Sequence, residues 1–128
     1  NTAPVIESIV AGRHSLTAVD SPKFTIYNYV PVYVSVHDKE DDIEFYVWEM
    51  LKEATDTATG GAWEPRPERV GDVIVSDNPT QHYTVTEAGN YRVYVYVLDK
   101  SGYVSTANIP IRFGMLNEVF PDAADISI

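Results

Sequence analysis

The chain has 128 residues, 45% hydrophobic and 22% charged, values that indicate one globular domain with a buried core. Its 19 acidic and 9 basic residues give a formal charge of −10. This charge argues against nucleic acids and anionic membranes as partners, because both require clustered Lys and Arg. The absence of cysteine excludes disulfides and thiolate sites and suits an oxidising exterior, and no apolar run approaches the roughly 20 residues of a membrane span.

Short segments with a hydrophobic period of two dominate the first half of the chain. Residues 5–10 predict a first strand, and residues 24–29 predict a short one. From Val30 to Val36, four valines alternate with other residues, which predicts a half-buried strand with the valines inward. An acidic turn over residues 38–42 follows, and then a strand over residues 43–51 that is apolar on both faces.

The second half continues the same pattern after a long polar loop over residues 52–71. Short strands are predicted over 73–75 and 81–86, the strongest strand over 91–99, and the last strand over 104–113. About seven short strands separated by turns, with no helical period, predict an all-β sandwich of two antiparallel sheets. We expect this domain to occupy residues 1–114, with residues 115–128 forming a C-terminal tail or linker.

Several motifs resemble those of bacterial immunoglobulin-like or polycystic-kidney-disease-type (PKD) domains. They are the opening Asn1-Thr2-Ala3-Pro4-Val5-Ile6, the acidic loop followed by Tyr46-Val47-Trp48, the Gly89-Asn90-Tyr91-Arg92-Val93 and Asp99-Lys100-Ser101-Gly102 segments of the last hairpin, and the ending over residues 104–111. The chain departs from the pattern at Glu44, where an apolar residue is expected. The resemblance implies an immunoglobulin-like β-sandwich.

The same resemblance implies an accessory domain of a secreted, polysaccharide-degrading enzyme. Such domains are either carbohydrate-binding modules or spacers. The opening residues read as the end of a linker, so we expect a monomeric piece of a longer extracellular protein, attached to a catalytic domain.

An apolar outer sheet face is the first candidate site. If the strands over 43–51 and 91–99 are neighbours in an immunoglobulin-like sandwich, Tyr46 and Trp48 point inward, and Trp48 belongs to the core. The residues expected to point outward are Phe45, Val47, Arg92, Tyr94, Tyr96 and Leu98. A solvent-facing sheet normally carries polar residues there, so this face is expected to bind something.

Two interpretations of this face remain open. Aromatic rings stack on the apolar C–H faces of sugars, and Arg92, Glu49 and Asn108 could bind the sugar hydroxyls. The predicted carbohydrate-binding residues are Tyr94, Tyr96, Trp63, Phe45 and Arg92. Trp63, in the long loop, either stacks on the ligand or anchors the loop. Alternatively, tyrosine simply suits strands, or the face packs against a neighbouring domain.

The acidic turn is a second, weaker candidate. Asp38, Glu40, Asp41 and Asp42 lie in it, and Asp99 opens the last hairpin at the same end of the sandwich. The candidate metal ligands are Asp38, Asp41, Asp42 and Asp99. Such clustered carboxylates can bind Ca²⁺, although the spacing does not match an EF-hand and a solvated turn is the simpler interpretation.

Catalysis has no sequence support. The three histidines are scattered, and no nucleophile or phosphate-binding motif is present. The sequence therefore predicts a non-catalytic carbohydrate-binding module for neutral, β-glucan-type plant polysaccharides that targets an attached hydrolase. The alternative is an immunoglobulin-like spacer that binds no ligand and packs against a catalytic domain. No cofactor is expected beyond the possible Ca²⁺.

Overall fold

The computed structural model describes residues 2–12, 14–15, 25–53 and 68–115. Every regular element within these ranges is a β-strand, as the hydrophobic period predicts. A helix with the length and hydropathy of a membrane span is absent from the described part of the chain. In chain order, the strands are β1 (Val5–Ala11), β2 (His14–Ser15), β3 (Thr25–Ile26), β4 (Tyr29–His37), β5 (Ile43–Lys52), β6 (Ile74–Ser76), β7 (Thr80–Thr84), β8 (Gly89–Asp99) and β9 (Val104–Phe113).

These strands form two sheets. The four-stranded sheet has the order β2-β1-β4-β7, and the five-stranded sheet has the order β3-β9-β8-β5-β6. All pairs are antiparallel except β3 and β9, which run parallel at one edge of the five-stranded sheet. The predicted all-β sandwich is confirmed. Among the described residues, the β3–β9 pair is the single exception to the predicted antiparallel pairing.

The short strand predicted over residues 24–29 is divided between the two sheets. Thr25 and Ile26 pair with β9, whereas Tyr29 begins β4 in the other sheet. Between them, the carbonyl of Asn28 accepts a hydrogen bond from the N–H of Val85 at 3.0 Å. The chain therefore changes sheets here, which a weakly alternating pattern does not reveal. The tail boundary stays a prediction, because residues 116–128 lie outside the described residues.

The core lies between the sheets and is formed by the alternating strands. Val30, Val32 and Val34 are 1%, 0% and 6% exposed, and Val36 is half-buried against the core, so the predicted inward direction of the four valines is confirmed. The buried cluster is Ile9, Ala11, Val30, Val32, Val34, Tyr46, Trp48, Met50, Tyr83, Val85, Tyr91, Val93, Val95, Val97, Ile109, Ile111 and Phe113. Burial of this apolar surface is the main force that holds the two sheets together.

Strands β5 and β8 are neighbours, as the face assignment assumed. Trp48 lies opposite Val95 in the register and is fully buried, which confirms that it is a core residue. On β8, Tyr91 packs the edge of its ring against Phe113, with ring centroids 5.3 Å apart. This pairing fixes which side of each strand faces the core.

Glu44 lies in a β-bulge. Ile43 pairs with Asp99 and Phe45 pairs with Leu98, so two steps along β5 match one step along β8. The extra residue is Glu44, which is exposed. A bulge leaves its additional residue outside the regular alternation, so a charged side chain is accommodated where the family pattern has an apolar one.

The first described strand begins and the last described strand ends at opposite ends of the sandwich. Val5 pairs with His37, next to the acidic turn, and the N–H of Lys100 donates to the carbonyl of Asp42 at 2.9 Å. We call this end, with residues 38–42 and 99–103, the acidic end. Phe113 pairs with Gly89 at the start of β8, which lies at the other end.

Two core side chains carry polar atoms without partners. Nε1 of Trp48 and the hydroxyl of Tyr83 are buried and form no hydrogen bond in the described structure. Burial raises the pKa of the Tyr83 hydroxyl above its ordinary value, with a smaller contribution from Glu49. An unsatisfied buried hydroxyl destabilises a fold, because it loses its water and gains nothing in return.

We expect Tyr83→Phe to leave the free energy of unfolding unchanged or to raise it by up to about 1 kcal/mol. The matched control is Tyr91→Phe, because the Tyr91 hydroxyl donates to the carbonyl of Glu87 at 2.7 Å. That control should lower the free energy of unfolding by about 1 kcal/mol. Urea unfolding of both variants measures the difference, and a larger loss in Tyr83→Phe would contradict the prediction.

Candidate functional site

The outer face of the five-stranded sheet is built by the alternation of β8. Tyr91, Val93, Val95 and Val97 are buried on the core side, and the residues between them point outward. All six residues expected on the outer face are half-buried, namely Phe45, Val47, Arg92, Tyr94, Tyr96 and Leu98. The structure therefore places the predicted aromatic residues together on one surface.

Cross-strand pairing extends this surface over four strands. Val75 of β6 pairs with Val47, and Val47 pairs with Tyr96. In a neighbouring row, Leu98 pairs with both Phe45 and Val104. We call this surface the outer patch; it comprises Phe45, Val47, Val75, Tyr94, Tyr96, Leu98 and Val104.

Two members of the outer patch are missing from the sequence prediction. Val75 is 64% exposed and Val104 is 51% exposed, the two largest exposures in the patch. Their strands flank β5 and β8, and this neighbourhood becomes visible only once the strand order is known. In the sequence, Val75 and Val104 are visible only as valines within predicted strands. The sequence does not show which strands lie beside them.

Polar side chains border the outer patch and bind one another. The hydroxyl of Tyr96 donates to Oε2 of Glu49 at 2.7 Å. Arg92 forms an ion pair with Glu53 through Nε, and its Nη1 donates to Oδ1 of Asn108 at 2.5 Å. The polar groups expected to contact sugar hydroxyls thus lie beside the tyrosines, already oriented by these bonds.

Trp63 was predicted to extend this surface. It belongs to residues 54–67, which lie outside the described residues, so its role stays a prediction.

The acidic end brings several carboxylates together. Oxygen atoms of Asp38, Glu40 and Asp42 all lie within 4.8 Å of one another. The N–H of Asp42 donates to Oδ2 of Asp38 at 2.6 Å. Glu40 also accepts a hydrogen bond from the N–H of Thr2 at 2.9 Å. This bond links the segment before β1 to the carboxylate cluster.

Asp99 joins the acidic end from the last hairpin. It is 2% exposed, and its Oδ1 accepts hydrogen bonds from the N–H groups of Ser101 and Tyr103, both at 2.9 Å. Its Oδ2 is buried and has no hydrogen-bond partner, and the same is true of Oδ1 of Asp38 and Oδ1 of Asp42. Buried carboxylate oxygens without donors are costly unless a proton or a cation neutralises them.

Of the four predicted metal ligands, Asp38 and Asp42 belong to the group within 4.8 Å, whereas Asp99 and Asp41 lie outside it. Asp41 is exposed, and its backbone has a φ of 51°. Glu40 takes its place beside Asp38 and Asp42. Which carboxylates of the turn converge depends on its backbone conformation, including the left-handed φ at Asp41, and the spacing alone does not show this.

The crowding of carboxylates raises the pKa of Asp42 from 3.8 to about 6. The largest cause is the hydrogen bond to the Asp38 side chain, followed by burial and by the negative charges of Asp38, Asp99 and Glu40. A neighbouring proton or cation therefore relieves repulsion at this end.

Comparisons with known proteins show the fold. No family model and no curated protein matches the sequence. The structure is similar to the PKD1 domain of Vibrio anguillarum Epp, with a TM-score of 0.51 and 19% identity over 90% of this chain and 98% of that one. It is also similar to the PKD1 domain of the Vibrio cholerae metalloprotease PrtV, with a TM-score of 0.53 and 18% identity over 89% of this chain and 100% of that one. The expected PKD-like, immunoglobulin-like β-sandwich is thus confirmed.

The raised pKa of Asp42 predicts a pH dependence of stability in chelator-treated protein. Between about pH 4 and pH 6 the unfolded chain has released this proton while the folded protein retains it, so the free energy of unfolding should fall as pH rises. Asp42→Asn removes the titrating group and should flatten this decline in urea unfolding. The control Asp41→Asn should keep it, and an unchanged slope in Asp42→Asn would contradict the prediction.

Proposed function

We propose that this chain is a non-catalytic accessory domain of a secreted protein, which binds neutral, β-glucan-type polysaccharide on the outer patch. The observation that carries the proposal is an apolar surface with two tyrosines on the outward side of a sheet. The domain would hold an attached hydrolase near its substrate, because linkage raises the effective concentration of substrate at the enzyme.

The chemistry of the outer patch suits a sugar chain. Tyr94 and Tyr96 lie two residues apart on one strand, so their rings are about 7 Å apart along it. Glu49, Arg92 and Asn108 place carboxylate, guanidinium and amide groups next to the rings. A mainly apolar surface with a few oriented polar groups is the usual composition of a site for a small or extended neutral ligand.

The charge of the chain agrees with a neutral ligand. At −10, the domain would repel acidic polysaccharides, nucleic acids and anionic lipids. The aliphatic members of the patch, Val75, Leu98 and Val104, also suit a protein neighbour, which is the spacer alternative. In that case the patch would be covered by an adjoining domain and would not bind glycan.

We expect Tyr94→Ala together with Tyr96→Ala to lower affinity for the bound β-glucan by roughly tenfold or more, through loss of both stacking rings. Affinity electrophoresis in gels that contain xyloglucan, mixed-linkage glucan or β-1,3-glucan measures the retardation. Tyr103→Ala is the matched control, because Tyr103 is 46% exposed but lies at the acidic end.

The two functions give different results in this experiment. Retardation of the wild-type chain that is clearly weaker in the double variant supports the outer patch as a glycan site. No retardation in any of the three glucans would overturn the proposal and favour the spacer. Retardation that the double variant retains in full would place the site elsewhere.

We also propose that the acidic end binds Ca²⁺ as a structural ion. The specific observation is that Asp38, Asp42 and Asp99 each hold a buried carboxylate oxygen with no hydrogen-bond donor. Ca²⁺ prefers carboxylate oxygens, and its charge would offset the repulsion that raises the pKa of Asp42. Since Glu40 contacts Thr2, the ion would stiffen the point where the chain enters the domain.

Calcium should raise the melting temperature of the chain, with a stabilisation of about 2.7 kcal/mol at a hundredfold excess over Kd. Asp38→Asn combined with Asp42→Asn should remove this response, because two of the ligands lose their charge. Asp41→Asn removes one charge from the same turn but should leave the response intact. A melting temperature that is unaffected by Ca²⁺ and by chelator would exclude the site.

A further inference from the structure

The outer face of the four-stranded sheet carries a second group of aromatic side chains. Tyr29 and Tyr33 of β4 alternate with the buried valines and are 49% and 39% exposed. Pro31 lies between them and pairs with His82 of β7, which is exposed. We call this surface, formed by Tyr29, Pro31, Tyr33 and His82, the tyrosine face.

Hydrogen bonds fix the direction of both tyrosine side chains. The hydroxyl of Tyr33 donates to the backbone carbonyl of Gly12 at 2.7 Å, and Gly12 directly follows the last residue of the neighbouring strand β1. A side chain that stood perpendicular to the sheet would lift its hydroxyl beyond the reach of any backbone carbonyl. The side chain therefore leans toward the end of β1, and 39% of Tyr33 remains exposed.

Tyr29 leans in the opposite direction, toward β7. Its hydroxyl is 2.6 Å from Nδ1 of His82, and the two rings are nearly parallel, at 18° with centroids 5.8 Å apart. The hydroxyls of both tyrosines are thus occupied by protein partners, so a ligand would meet mainly the exposed rings. Rings fixed in this way lose little rotamer freedom on binding, which favours affinity.

The charge of this face differs from that of the whole chain. In the described part of β1, β4 and β7, Glu7 is the single carboxylate, and it accepts a hydrogen bond from the hydroxyl of Ser35 at 3.3 Å. The chain as a whole carries −10. A neutral ligand with flat apolar faces and hydroxyl edges meets no charged side chain at the tyrosine face itself, only the imidazole of His82.

We propose that the tyrosine face is a second polysaccharide-binding surface, which stacks sugar rings on Tyr29 and Tyr33 with Pro31 as an apolar floor between them. The class of ligand is taken from the proposed function, but the binding surface is a different one. Because the tyrosine face and the outer patch lie on opposite sides of the sandwich, one domain would contact two polysaccharide chains.

The test combines variants of the two faces in the 128-residue chain. Tyr29→Ala with Tyr33→Ala is expected to lower affinity for β-glucan by about three- to tenfold, measured by affinity electrophoresis. Tyr94→Ala with Tyr96→Ala should retain binding through the tyrosine face, and the fourfold variant should bind nothing. Tyr27→Ala is the control, since Tyr27 is 41% exposed and precedes β4.

Thermal unfolding checks that each variant is folded. If loss of the Tyr33 hydrogen bond destabilises the double variant, Tyr29→Ala alone replaces it in the affinity measurement. Wild-type affinity in Tyr29→Ala would overturn the proposal and leave the outer patch as the glycan site. Loss of all binding in Tyr94→Ala with Tyr96→Ala would overturn it as well. Binding that depends on Tyr29 but is unchanged in that outer-patch variant would support the tyrosine face and overturn the outer patch instead.

Discussion

The pairing of β5 with β8 is the constraint on which the other features depend. It places the Trp48 side chain, fully buried, opposite Val95, in the middle of the core. Because side chains alternate along a strand, burying this row forces the intervening residues outward. The tyrosines of the outer patch are therefore exposed as a consequence of core formation. A slip of one residue in this register would bury Tyr94 and Tyr96 and expose the core valines.

The acidic end depends on a different constraint. The β4–β5 turn and the β8–β9 turn lie next to each other and are joined by hydrogen bonds. Asp99 stabilises the β8–β9 turn through Oδ1, and the backbone of Asp42 accepts a hydrogen bond from Lys100. Both contacts bring carboxylates inward, where they repel one another. The hydrogen bond to the Asp38 side chain, burial and this repulsion together raise the pKa of Asp42, which underlies the predicted loss of stability with rising pH. The repulsion also favours the proposed binding of Ca²⁺.

The sequence was sufficient to predict the strands in which one face is buried, because their alternation is strong. Val30–Val36 and the predicted strand over residues 91–99 were placed correctly for this reason, and so was the outward set of β8. Features that depend on contacts between distant residues were not predictable. The membership of Val75 and Val104 in the outer patch requires the strand order, and the leaning of Tyr33 requires the β1–β4 pairing. The replacement of Asp41 by Glu40 depends on one backbone angle.

The opposite placement of the chain's entry and exit has a mechanical consequence. A force applied between Val5 and Phe113 would run along the strands, so the β1–β4 and β8–β9 pairs would have to slide past each other with many hydrogen bonds breaking together. The start of β1 and the end of β9 are separated by about the length of β8, an 11-residue strand, or roughly 35 Å. The described sheets would therefore resist a force along this direction by shear between strands.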